Sequence, residues 1–120
     1  MIKIIGGKYK QTNIEVPLNI VRPTTSMKRE VIFSIIESYA EKNNIDIYKY
    51  KTLDLFAGSG ALGLEAASRG AKFVYFFENN LEAINNLNTN CKKIFFNKNY
   101  LILKKNILNN DFKKISGKIS

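Results

Sequence analysis

The residues in this sequence whose types and spacing could do chemistry are two acids and a run of glycines. They are Asp54, the segment Gly58-Ser59-Gly60 within "DLFAGSGALGLEAASRGA" (residues 54–71), and Glu78. Residues 58–63 satisfy the pattern G-x-G-x-x-G, placed where an apolar strand ends and a helix begins. Positions without side chains let the backbone approach a ligand, and a helix N-terminus offers unpaired N–H groups to it. Glu78 comes at the end of the next apolar run, about 20 residues on, the distance expected of an acid accepting hydrogen bonds from two vicinal ribose hydroxyls. The unit predicts a site for a nucleotide-like ligand. The competing reading is a purely structural turn with an incidental glutamate after it.

Asp54 separates two such ligands. A carboxylate at a buried strand end is costly unless it has a partner. Beside the diphosphate of NAD it would repel the ligand. Beside the ammonium of a methionine moiety it would attract it, which favours S-adenosylmethionine (SAM). Asp54 satisfied only by nearby backbone N–H groups is the alternative. Asn106 lies just after a third strand, where a polar side chain could reach an adenine edge, with Ile107 and Phe56 as apolar cover. A solvated loop residue reads equally well there.

The elements that must position these residues can be read from pattern and punctuation. Residues 1–16 alternate weakly around Gly6-Gly7 and predict a small hairpin closed by Pro17. Pro23 disfavours helix at Arg22, and Thr25 or Ser26 can cap a helix that starts there. Its buried stripe is expected to be Met27, Val31, Ile32, Ile35, Ile36, Tyr39 and Ala40, with Lys28, Arg29, Ser34 and Glu41 falling largely off it. After a loop over 42–51 come a strand over 52–56, a helix over 61–69 stopped by Gly70, and "KFVYFFE", a strand covered on both faces. Asn79 or Asn80 can cap the next helix, in which Leu81, Ile84, Leu87, Cys91 and Ile94 share a face; residues 100–103 form a third strand. The order β-α-β-α-β predicts a parallel sheet with helices on both sides, an α/β architecture. The division expected is 1–41 for the hairpin and helix and 52–120 for the first half of a Rossmann-like domain.

Composition bounds the function. A chain of 120 residues makes one domain at most. No apolar run approaches the roughly 20 residues of a bilayer span, and the N-terminus lacks a secretory apolar stretch. Histidine is absent and Cys91 is the single cysteine, so a protein metal site and an internal disulfide are not expected, and a reducing, cytoplasmic setting fits. A net charge of +9 points to a polyanionic partner, RNA or DNA, although a lysine- and asparagine-rich composition alone could produce it.

The sequence "DLFAGSGALGLEAASRGA" resembles the first motif of class I SAM-dependent methyltransferases, and most closely the bacterial 16S ribosomal RNA guanine-N2 methyltransferases of the RsmD type. "IIGGKYK" at 4–10 and "RPTTSMKREVIFSII" at 22–36 extend the resemblance over nearly the whole chain. It implies SAM as cofactor, held by Asp54, Phe56, Ala57, Gly58, Ser59, Gly60, Glu78, Asn79, Asn106 and Ile107. It implies ribosomal RNA as partner, with Arg22, Thr24, Lys28 and Arg29 where the family's N-terminal segment approaches cofactor and RNA; ordinary helix capping and a solvated basic face are the alternative for these four, and the hairpin lysines Lys3, Lys8 and Lys10 are expected to hold the RNA. The family's chemistry uses an Asp/Asn-Pro-Pro-aromatic motif that orients a guanine amine toward the methyl group. The two prolines here, Pro17 and Pro23, are not adjacent, and Asp111 has no proline beside it. No catalytic residue is therefore assigned, and the motif is expected beyond Ser120. The expectation is a fragment or truncated form that ends before the fourth strand, binds SAM weakly and does not methylate. An NAD(P)-binding half-domain and a non-catalytic basic RNA-binding module are the alternatives.

Overall fold

The computed structural model describes residues 2–16, 25–55, 57–95 and 99–104. Pro17, Arg22, Pro23, Thr24, Phe56, Asn106, Ile107, Asp111 and Ser120 lie outside these residues, so the expected end of the domain before a fourth strand falls outside them too. The hairpin is present as β1 (Ile2–Lys3) and β2 (Asn13–Ile14), antiparallel with Ile2 opposite Ile14. Then come α1 (Ser26–Lys42), a single 3₁₀ turn over Ile47–Lys49, β3 (Thr52–Asp54), α2 (Ala61–Ser68), β4 (Val74–Phe77), α3 (Leu81–Ile94) and β5 (Tyr100–Leu103). Strands β3, β4 and β5 form a parallel sheet in that order, with Asp54 opposite Phe76 and Phe76 opposite Ile102.

β4 shows why "KFVYFFE" has no polar alternation. All four of its residues are buried, Val74 and Phe76 in one apolar cluster and Tyr75 and Phe77 in another. The first cluster takes Phe33 from α1, Leu64 from α2, Leu87, Cys91 and Ile94 from α3, and Ile4 and Ile14 from the hairpin segment. The second is Tyr75, Phe77 and Leu103 with Phe73 against them. All three helices thus contribute to the same cluster. Among the described residues none contributes to the other, which departs from the expectation of helices on both faces.

Helix capping agrees closely with the sequence. Thr25 Oγ1 accepts from Lys28 N at 3.2 Å, and Asn80 Oδ1 accepts from Ala83 N at 2.9 Å. The inward face of α3 is Ile84, Leu87, Cys91 and Ile94 as expected, while Leu81 is exposed. Helix α1 is rotated from the expected phase. Its inward residues are Arg29, Phe33 and Ala40, whereas Met27, Val31, Ile35 and Tyr39 face outward, Met27 with 79% and Ile35 with 64% of their surface accessible. Hydropathy alone puts an isoleucine inside before an arginine. The phase is set instead by an ion pair that only the three-dimensional arrangement supplies.

Candidate functional site

The glycine turn sits at the C-terminal ends of β3 and β4, where ligands bind in open parallel sheets. Ala57 N donates to Phe77 O at 3.1 Å, tying the turn to β4, and Gly60 N donates to Ala57 O at 2.8 Å, closing it. Gly60 precedes α2 with φ +94°, a conformation that a β-carbon disfavours, and an added Cβ would lie 2.5 Å from Leu87 Cδ1. Gly63 is required by proximity, since a Cβ there would lie 2.3 Å from the Phe76 ring. The glycine pattern therefore fits helix to sheet as well as shaping the turn.

Both predicted acids are at this turn. Asp54 is buried, and its Oδ2 accepts from Gly63 N at 3.0 Å, satisfying one of the donors of the first turn of α2. That is the backbone partnership the sequence left open as an alternative. Glu78 spans two segments. Oε1 accepts from Gly58 N at 2.8 Å, while Oε2 accepts from Asn80 N at 2.9 Å and Asn79 N at 3.2 Å. The carboxylate thus links the glycine turn to the start of α3, with Asn79 exposed beside it. Ala57, Gly58, Ser59 and Gly60 of the turn are all buried.

Three polar residues that pattern reading missed hold this region together. Asn90, fully buried on α3, donates from Nδ2 to Ser59 O at 2.8 Å and to Glu15 O at 2.9 Å, and accepts from Glu15 N at 2.8 Å. It joins the turn to the segment after β2. Glu65, fully buried on α2, accepts from Ile5 N and Gly6 N, each at 3.0 Å, from Arg29 Nη1 at 3.0 Å and from Arg69 Nε at 2.9 Å. Ser68 donates to Gly6 O at 2.6 Å and accepts from Tyr9 N at 2.9 Å. The signal for Glu65 was available, because it is the only charged residue in an otherwise apolar and small α2, "ALGLEAAS".

Arg29 corrects the sequence reading. Expected either to approach cofactor and RNA or to lie on a solvated basic face, it has 0% of its surface accessible and donates to Glu65 and to Lys3 O (2.9 Å). Burial pulls its pKa below the ordinary value, against the raising pull of Glu65. Arg69 completes the cluster with Glu37 at 2.7 Å and Glu30 at 3.3 Å, its guanidinium 4.9 Å from the centre of the Phe33 ring. Burial lowers the Arg69 pKa, but hydrogen bonds to Glu65 and Glu37 carry it above its ordinary value. Lys3, Lys8, Lys10 and Lys28 are exposed, the first three on the hairpin segment and the last on the first turn of α1.

Among the described residues no group of three or more His, Cys, Asp or Glu side chains is placed to hold a metal ion, and no helix is long and apolar enough to cross a membrane.

A parallel β-α-β-α-β unit with a glycine turn at its first strand end and an acid at its second is the first half of a Rossmann-like fold. The chain matches the family model described as conserved hypothetical protein 95 over residues 2–118, and it belongs to that family. It is similar to ribosomal RNA small subunit methyltransferase D of Escherichia coli K12, 44% identical over 71 residues covering 58% of this chain and 32% of that one. The protein of the same name from Haemophilus influenzae is 36% identical over 95 residues, covering 78% and 45%. The solved structure of E. coli yhhF, assigned as a methyltransferase, superimposes with a TM-score of 0.71 at 31% identity, covering 88% of this chain and 52% of that one. The chain spans about a third to a half of the length of the curated relatives it matches.

Proposed function

We propose that this chain is the cofactor-binding half of a SAM-dependent methyltransferase that acts on small-subunit ribosomal RNA in the cytoplasm. The observation that carries the reading is Glu78, whose carboxylate reaches both the glycine turn and the start of α3 at the ends of two adjacent parallel strands. Exchanging its backbone partners for the two hydroxyls of a ribose would satisfy the same oxygens without burying a charge unpaired. The residues present fit SAM. Glu78 and Asn79 would hold the ribose, Ala57 to Gly60 would line the methionine end above Asp54, and Phe56, Asn106 and Ile107 are assigned to the cofactor by family resemblance. When bound, SAM supplies an electrophilic methyl group on a sulfonium.

The chain's own contribution is binding and orientation. Asp54 fixes the start of α2 and places negative charge beneath the turn, suited to an ammonium and unsuited to a diphosphate. Lys3, Lys8, Lys10 and Lys28 offer exposed positive charge to an RNA backbone, joined by Arg22 and Thr24 from the family's N-terminal segment. Arg29 is withdrawn from that set. The sequence through Ser120 carries no Asp/Asn-Pro-Pro-aromatic motif, so orienting the guanine amine is not assigned to any residue of this chain. Equilibrium dialysis with SAM and NAD in parallel tests the cofactor. Saturable SAM binding with none for NAD is expected, and tighter NAD binding would overturn the reading.

A further inference from the structure

One buried side chain holds both the glycine turn and the exit of the basic hairpin. Asn90 lies fully buried on α3, and its three side-chain hydrogen bonds go to the backbone of other segments. Toward the hairpin it pairs with Glu15, just past β2, as a neighbouring strand would. Oδ1 accepts from Glu15 N at 2.8 Å and Nδ2 donates to Glu15 O at 2.9 Å. Toward the turn, Nδ2 donates to Ser59 O at 2.8 Å. The Ser59–Gly60 peptide is thereby held at both ends, because Gly60 N donates to Ala57 O at 2.8 Å. Leu87, one helical turn before Asn90, packs against Gly60, where an added Cβ would meet its Cδ1 at 2.5 Å. One face of α3 therefore supports the turn from below.

Only an amide fits this place. Its NH₂ group gives one donor to each carbonyl, while its oxygen accepts the single N–H. An aspartate would turn acceptors toward two carbonyls, and an alanine would leave Ser59 O and both Glu15 backbone groups without this partner. Because one amide group makes all three bonds, a movement that releases Ser59 also releases Glu15. The bond set is thus an element with two arrangements, made or broken, that reaches both regions.

We infer that Asn90 couples the cofactor turn to the hairpin. A ligand resting on residues 57–60 favours the arrangement in which Asn90 is bonded, and so steadies the chain leaving the hairpin. Linkage makes the effect reciprocal: RNA that steadies the hairpin exit strengthens cofactor binding by the same factor. The inference rests on the reading of the glycine turn as a SAM site. Asn90 acts through Ser59 and Glu15 and is a positioning residue.

Native-state amide hydrogen exchange, with and without saturating SAM, tests it. Glu15 N–H is the reporter, since it exchanges when its bond to Asn90 opens. Lys8 N–H, bonded to Ser68 O, and Gln11 N–H, bonded to Ile4 O, report the hairpin apart from Asn90. SAM is expected to slow Glu15 exchange about fivefold or more, the lower end of ordinary coupling, with clearly smaller changes at Lys8 and Gln11. The Glu15 resonance stays in place, because opening becomes rarer while the closed structure is the same. SAM-induced shifts at residues 57–60 with Glu15 unresponsive, or with Lys8 and Gln11 slowed equally, would overturn the coupling alone. No SAM-induced shift anywhere would overturn the reading of the turn and the coupling with it. Asn90→Asp keeps an acceptor for Glu15 N and lacks both donors, so the same SAM response in that variant would also overturn the inference. The wild-type comparison decides whether or not the variant folds.

Discussion

At the scale of single residues, Glu65 is where the N-terminal half of the molecule converges. One buried carboxylate receives two backbone N–H groups from the hairpin segment, a guanidinium from α1 and another from the end of its own helix. Removing its charge while leaving Arg29 buried should be expensive, because breaking a buried pair by one partner costs about 3–5 kcal/mol. Glu65→Gln is therefore expected to lower the urea midpoint markedly, because that loss is a large fraction of a typical domain's stability. Cys91 gives a second prediction. Burial, reinforced by the nearby Asp54 charge, pushes its thiol from the ordinary 9.0 up to about 12. Between those values the unfolded chain loses the thiol proton and the folded chain keeps it, so stability falls as pH rises. Thermal melting from pH 9 to pH 12 should show that decline, with a shallower slope in Cys91→Ala.

At the scale of elements, the hairpin is fixed by its glycines to the end of α2. Gly7 has φ +82°, and a Cβ on it would lie 2.0 Å from Ser68 O, while Lys8 N donates to that same oxygen at 2.7 Å. Gly7→Ala should cost more than about 1 kcal/mol and expose Lys8 and Lys10 to trypsin faster than in the wild type. Element existence was legible in the sequence because turns, caps and the apolar run of β4 each leave a local mark. The rotation of α1 was not, because the residues that set it, Arg29 and Glu65, are 36 positions apart and neither marks itself as the other's partner. The site was half legible. Glu78 and the glycine turn stand at the expected strand ends, but Asn90 looked like an ordinary polar residue on a helix and proved to be the link to Ser59.

At the scale of the whole molecule, the glycine turn and a basic hairpin are clamped together through α2, whose first turn Asp54 holds and whose last turns hold Gly6 and Tyr9. If the hairpin lysines meet RNA, a Lys3→Ala, Lys8→Ala, Lys10→Ala triple variant should bind a 16S RNA fragment more weakly in filter-binding assays. Its salt dependence should flatten by roughly 0.7–0.9 log units per lost phosphate contact. Melting temperature should change little, since all three side chains are exposed.

The most direct measurement is a nitrogen-15 NMR titration of the chain with SAM, which detects weak binding and reports where it occurs. Saturable shifts confined to the amides of Ala57 to Gly60 and Glu78 to Asn80, absent in Glu78→Ala, are the predicted result. Shifts gathered at Ile32, Tyr50 and Leu53 instead, or a titration of the wild-type protein indistinguishable from that of Glu78→Ala, would contradict a SAM site at this turn.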